Sequence, residues 1–517
     1  MGEYVEPGAQ VYEPRPRAGE YELGARAPLG IDDLPEPEAV FGTQRIGVKE
    51  TVTLVIGPSL IALGLSIGSG EWLLGPLQIG TVGWIGVGFV ILLSILLQAF
   101  YNMEIGRYVL ATGEVPALGF GRIPPGFFLG TILAVVLFYI AFITGGWASG
   151  AGEGLLTLIK GEVPTADEKA WEARWLAVAL MAVVFVITLI GRKISRTLEL
   201  VNWALVAFIL ITLLIVDIVV VAGSQWLDGL EGLFRPALPP DEISAKDIGG
   251  VAGFAAMASG LNYVFMNYYR DKGYGMGSKS GYIPGLLAGR DVRPVEPVGT
   301  TFRETPENTA LWRRWWRFLK LEMWVVFVPG ALLGMFLPGI LVRHLADETG
   351  TPPDKDTMPT YVAGQLRELG YSDFVFYIAL LVGFFILFST QIVVYEMLVR
   401  NFVDASYGSS SRFRRLVAGD PRRVYYPFMV LLAIVISLIL FTEAAVGLVN
   451  WAANMSNLAA LIMPLALLYL ITKLPRPARA KWWSYLILPA VMIYFGFFFL
   501  NFIVGEITGG DTDLSFW

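Results

Sequence analysis

The sequence contains no cysteine, a single histidine (His344), and only 16% Asp, Glu, Lys and Arg among its 517 residues. Without cysteine there are no disulfides, thiolate metal ligands or cysteine nucleophiles. A histidine-based zinc site or a Ser-His-Asp triad would have to rest on His344 alone, which the sequence pattern places in a polar loop. The shortage of charge excludes more. Soluble proteins carry roughly 25% charged residues. A chain that is 55% hydrophobic, with mean hydropathy +0.60, has too little polar surface to cover a water-soluble core. A net charge of −6 argues against a nucleic-acid partner, because such proteins show a basic excess on at least one domain. Walker A, cofactor-fingerprint and metal-hydrolase patterns are also missing, so no enzyme, resident cofactor or ATP-driven pump is expected.

What is present is apolar sequence in runs of about twenty residues, the length a helix needs to cross roughly 30 Å of hydrocarbon. Eleven such runs predict an all-α polytopic membrane protein. They are Thr51 to Gly80, Trp84 to Ala111, Phe127 to Trp147, Trp175 to Ile190, Val201 to Ala222, Ile248 to Tyr269, Phe318 to Leu341, Phe374 to Val399, Tyr425 to Phe441, Ala444 to Leu470, and Trp483 to Val504. Before them, Met1 to Glu50 is polar and proline-rich with no helical period, and reads as a disordered cytoplasmic tail. It lacks an apolar stretch behind a basic start, so the first span is expected to serve as the insertion signal.

Positively charged loops stay in the cytoplasm. Residues 270–320 hold ten basic and five acidic residues and residues 400–423 six and two, with further basic clusters at Arg192 to Arg196 and Lys473 to Lys481. The alternate loops are acidic: residues 153–174 have five acids to three bases, residues 228–247 five to two, and residues 343–373 six to three. The alternation predicts a multi-pass plasma (inner) membrane protein with its N-terminus inside and residues 505–517 as an extracytoplasmic tail.

Two spans are rich in glycine. Span one has Gly64, Gly68 and Gly70 in ALGLSIGSGEWLLGP, and span six has Gly249, Gly250, Gly253 and Gly260 in GGVAGFAAMASGLNYVF. Each glycine costs about 1 kcal/mol relative to alanine in a helix, so local unwinding is expected in both. The two occupy equivalent places if residues 51–222 and 248–470 are five-helix inverted repeats followed by one extra helix at 483–504. Matching broken helices mark a midplane binding site in transporters. Glycines also permit close packing, but packing does not explain the carboxylate of Glu71 inside such a run. An intramembrane charge costs at least about 2.5 kcal/mol and normally marks function, so Glu71 is the candidate substrate and coupling residue.

Other polar positions are more easily structural. Glu104 and Arg107 have the i, i+3 spacing of an ion pair, and Glu199, Glu322 and Glu396 lie near inner helix ends, where snorkelling is cheap. Asp217 sits near the outer end of span five, where it lines a vestibule or reaches water. Asn450, Asn454 and Asn457 form a polar stripe on span ten that lines a path or bonds a neighbouring helix.

The runs GPSLIALGLSIGSGEW, LLQAFYNMEIGRYVLATGE and LQIG resemble the Nramp family of divalent-metal transporters. That resemblance implies a LeuT-type fold of five-plus-five inverted repeats with helices one and six broken. It places Ser69, Gly70, Glu71 and Trp72 where the family has Asp-Pro-Gly-Asn, or Gly68 opposite the Asp if counted forward from Gly57. Met257, Ala258, Ser259 and Gly260 stand where the family has Met-Pro-His-Asn or a close variant. The family's histidine is absent and its methionine is kept. The resemblance implies a metal shell of Glu71, Met257, Ser259 and Asn262.

Two functions follow. One is an ion-coupled secondary transporter of a divalent metal. The other is a symporter of a small organic solute such as an amino acid or amine, with Trp72 and Tyr263 covering an ammonium by cation–π contact; Asn454 completes the candidate substrate-binding set. A proton is the default coupling ion, since burial can bring a carboxyl toward neutrality. Na⁺ held by unwound carbonyls is the other.

Overall fold

The computed structural model describes residues 31–50, 70–124, 127–189, 194–280, 298–417 and 422–508. Helices stand at the positions of all the spans from two to eleven. Among the described residues, eight are long and apolar enough to cross a membrane, or nine if the bent pair Ala445–Ala460 and Met463–Thr472 is one span. The early part of span one, with Ser69, lies outside the described residues.

The bundle departs from the sequence expectation where polar residues continue a helix instead of marking a loop. Span three does not stop at Trp147. The chain turns at Gly145, whose φ of 70° suits glycine, and continues as Gly146–Lys160, so Glu153 is a buried helix residue instead of part of an acidic loop. Span seven is the end of a 44-residue helical run, Pro306–Thr349. His344 therefore lies in a helix and is buried, not in a polar loop. At 1.5 Å per residue that run is about 66 Å long, roughly twice the hydrocarbon thickness. Its first segment, Pro306–Leu321, is amphipathic, capped by the Thr305 side chain, and buries Asn308, Trp312, Trp315 and Leu319 on one face.

The tail expected to be structureless through Glu50 is ordered in part of the described stretch. Strand β1 (Ile31–Asp32) pairs in parallel with β2 (Thr301–Phe302), and Leu34 is buried with its N–H donating to Asn308 Oδ1 at 3.0 Å. A short helix, Pro37–Phe41, follows. The Phe41 ring packs on Tyr274, Trp315 and Phe318, and Glu38 pairs with Arg314. The segment just before span one is thus fastened to the helix leading into span seven.

Span six is broken. Its first half, Ala245–Phe254, ends at Ala255, and the chain resumes with a 3₁₀ turn at Ser259–Leu261 and two short helices, Asn262–Phe265 and Tyr268–Asp271. Span one enters the described region as a widened π-turn, Gly70–Leu74, followed by the helix Gly75–Val82. The glycines of span six let span ten approach. Asn457 Nδ2 donates to the Gly249 carbonyl at 2.8 Å, and a Cβ on Gly253 would lie 2.6 Å from the Ala453 carbonyl oxygen. The glycine face of span six and the asparagine stripe of span ten form one interface.

Candidate functional site

The break in span six is held open by side chains from span two (Val87–Thr112). Gln98 Oε1 accepts from the backbone N–H groups of Met257 at 3.1 Å and Ser259 at 3.2 Å, and from Asn262 Nδ2 at 3.0 Å. Asn262 Oδ1 accepts from the Ala258 N–H at 2.7 Å, and its Nδ2 also donates to Asn102 Oδ1 at 2.8 Å. The amides of residues 257–259 are therefore bonded to side chains instead of the Gly253, Phe254 and Ala255 carbonyls that a continuous helix would offer. Those three carbonyls are released from the helical ladder. Ser259 sits at φ 37°, the only positive value among described non-glycine residues. Such strain persists only where the surroundings impose it. Its Oγ is buried with no hydrogen-bond partner among the described residues. The Met257 sulfur accepts from Asn102 Nδ2 at 3.4 Å, and Tyr101 donates to the Gly260 carbonyl at 3.2 Å.

The two broken spans meet here. Gly70 is pressed so closely against the Phe254 carbonyl that a Cβ would collide with it, and Phe254 precedes Met257 by three residues. Glu71 and Trp72 follow directly and are each 1% exposed. The Trp72 indole lies along span eight, where a Cβ on Gly383 would stand 2.8 Å from its ring. The structure thus brings Gly70, with Glu71 next in the chain, to the start of the span-six break, while Ser259 and Asn262 lie on its far side. Asn262 directs its amide to span two. No group of three His, Cys, Asp or Glu suited to a metal occurs among the described residues.

Two candidates point elsewhere. Tyr263 donates to the Ala134 carbonyl at 2.6 Å and sets its ring edge-on to Phe120. Asn454 donates to the Lys246 and Asn450 carbonyls, each at 3.0 Å. Asn450 in turn donates to Asp247 Oδ1 at 2.8 Å, so the stripe ties span ten to the start of span six. Glu104 and Arg107 form a two-pronged pair with both contacts at 2.9 Å. Arg107 also reaches the Ala478 carbonyl at 3.2 Å and stacks 4.2 Å over the Trp316 ring.

Gln98 and Asn102 are the site residues that sequence reasoning missed. They stand at i, i+4 on the mostly apolar span two, the same kind of signal as the asparagine stripe. Glu153 and Asp217 are also buried, with Glu153 Oε2 and both Asp217 oxygens lacking partners among the described residues. Asp217 therefore does not reach water.

At the end of the bundle that carries the basic loops, buried charges link span six to span eight. Arg270 bonds Asp404 at 2.8 Å and Asp271 at 2.9 Å, Asp271 pairs with Arg400, and Arg400 bonds Glu396 at 2.7 Å. Burial pushes the Asp271 carboxyl up, but Arg400 and Arg270 outweigh it and hold the group below its ordinary value of 3.8. Just past span two, Glu114 is treated alike. Burial raises it, while Arg122, 2.7 Å away, and bonds from the Gly299 N–H and the Tyr108 hydroxyl bring it below 4.5.

No family model and no curated protein matches the sequence. Solved structures do match the fold. A glutamate-to-alanine mutant of the Eremococcus coleocola manganese transporter aligns with TM-score 0.56 and 15% identity over 94% of this chain and 92% of that one. A histidine-to-alanine mutant of the same transporter gives 0.55 and 15% over the same shares. Its complex with an aromatic bis-isothiourea substituted compound gives 0.54 and 14% over 93% and 91%. At such identity the likeness shows a shared fold, that of a multi-pass membrane protein of the architecture expected from the resemblance.

Proposed function

We propose that this chain is a secondary active transporter of a divalent metal ion, which binds where the broken spans one and six meet. The observation that carries the reading is the span-six break. Gln98 and Asn262 hold its amides and release the carbonyls of Gly253, Phe254 and Ala255, one of which abuts Gly70 beside Glu71. Carbonyl and carboxylate oxygens suit a hard or borderline cation, and the Met257 thioether favours Mn²⁺ or Fe²⁺ over Ca²⁺ and Mg²⁺. The fold shared with a manganese transporter supports the same cargo. Glu71 supplies the negative charge and exchanges a proton for the cation during the cycle. Na⁺ held by the released carbonyls is the competing coupling ion. The basic loops support an N-terminus in the cytoplasm and a C-terminus outside, in a plasma-membrane protein.

The organic-solute reading draws less support, because the Tyr263 ring packs edge-on to Phe120 and the Trp72 ring packs along span eight. The test is uptake into proteoliposomes of Mn²⁺, Fe²⁺, Ca²⁺ and Mg²⁺ beside a panel of amino acids and amines. Metal uptake in the wild type, with Met257→Ala narrowing the preference for Mn²⁺ over Ca²⁺, is the expected result. Uptake of organic solutes alone overturns the reading.

A further inference from the structure

The helix Pro306–Leu321 carries more than its buried face needs. Arg313, Arg317 and Lys320 are spaced i, i+4, i+7 and are all exposed, so they form a single stripe along one side of the helix. None has an ion-pair partner among the described residues. The neighbouring cation is different in kind, since Arg107 is buried and neutralised by Glu104 at 2.9 Å. Beside the stripe, the Trp316 ring lies tilted against Trp483 of the turn into span eleven, 6.4 Å between centroids. Phe100 bridges Trp483 at 6.0 Å to Trp324 at 5.1 Å. The result is a partly exposed aromatic shelf next to three unpaired cations.

The same helix fixes the depth of the shelf. Trp324 is 37% and Val325 60% exposed, an apolar outer surface that only hydrocarbon suits. Along the axis, Lys320 and Arg317 stand about 7 and 12 Å from Val325. The headgroup layer adds about 5–8 Å on each side of the hydrocarbon, within reach of these long side chains. Arg317 and Lys320 are therefore placed where lipid phosphates lie, with Arg313 about one helical turn further out, and indole rings prefer the same layer.

We propose that this corner, formed by the helix leading into span seven and the start of span eleven, is a binding site for an anionic phospholipid. Lys320 and Arg317 hold the phosphate and Arg313 meets the outer part of the headgroup, while Trp316, Trp483 and Trp324 support the glycerol and upper acyl chain. Charge complementarity and depth select a lipid over a soluble anion, because a free phosphate gains nothing from the aromatic shelf.

The test uses the purified full chain in detergent, titrated with phosphatidylglycerol, phosphatidylcholine or soluble glycerol phosphate. Retained lipid is read by native mass spectrometry and stability by thermal unfolding. Phosphatidylglycerol is expected to be retained and to raise Tm, with no comparable effect from the other two. The triple variant Arg313→Gln, Arg317→Gln, Lys320→Gln is expected to weaken retention by at least about tenfold, given the attraction of each such cation to anionic lipid. Its Tm in lipid-free detergent should equal that of the wild type, which shows that it folds. Arg412→Gln with Arg415→Gln, two exposed cations elsewhere, should leave retention unchanged. Unaltered retention in the triple variant overturns the proposal, as does an equal loss in the double variant. Equal stabilisation by phosphatidylcholine or by glycerol phosphate also overturns it.

Discussion

A side chain in this protein matters most where it replaces a missing backbone bond. Gln98 Oε1 receives three donors from the span-six break. Truncating it leaves buried amides without an acceptor, at about 1–3 kcal/mol per orphaned group. Gln98→Ala should therefore lower stability in detergent unfolding and reduce metal uptake together. Glu114 gives a second residue-scale prediction with a pH sign. Its folded pKa is depressed below 4.5. Its stabilisation is thus complete above that ordinary value and lost as pH falls through the lower folded one. Glu114→Gln strands the buried Arg122, at about 3–5 kcal/mol. Thermal unfolding against pH should show that deficit undiminished from neutrality down to mild acid, narrowing only in stronger acid. The sequence made Met257 and Asn262 visible as polar positions near a glycine-rich break. It did not show what holds Asn262, because its partner Gln98 lies 164 residues away, and no local pattern encodes a contact at that separation.

Among the elements, period and glycine content were legible and the ends of helices were not. The apolar runs predicted helices at the positions of spans two to eleven, since hydrocarbon leaves the backbone no other partner than itself. The ends differ where a charged residue continues the helix instead of ending it. Glu153 and His344 are buried within helices that run on past the apolar stretch, because neighbouring helices cover them on the protein side. Helix Pro306–Leu321 was hidden for a related reason: its many cations gave it the composition of a loop although its buried face repeats at helical spacing. The span-six and span-ten interface carries a prediction at this scale. A Cβ on Gly253 meets the Ala453 carbonyl at 2.6 Å, and backbone there cannot rotate away. Gly253→Ala should cost about 1–3 kcal/mol by overpacking and displace the Asn457 bond to Gly249. Gly505→Ala, inside the helix Ser484–Thr508 with nothing within 4 Å, should not destabilise and should gain up to about 1 kcal/mol in the same unfolding assay.

Over the whole molecule, scarcity of charge sorts what little there is into separate tasks. Basic loops collect at one end, where Arg270, Asp271, Arg400 and Asp404 also join span six to span eight. The segment at residues 31–42 fastens to the helix before span seven at the same end. Glu71, in contrast, is buried where spans one and six meet. In the proposed transporter, this carboxylate and the released carbonyls of span six bind a divalent metal. The most direct measurement is Mn²⁺ uptake into proteoliposomes by the wild type and by Glu71→Gln, a substitution that keeps shape and removes charge. Saturable uptake by the wild type, reduced at least about tenfold in Glu71→Gln as expected for losing about 1.4 kcal/mol or more of cation stabilisation, is the predicted result. Undiminished Mn²⁺ uptake in Glu71→Gln would contradict the account.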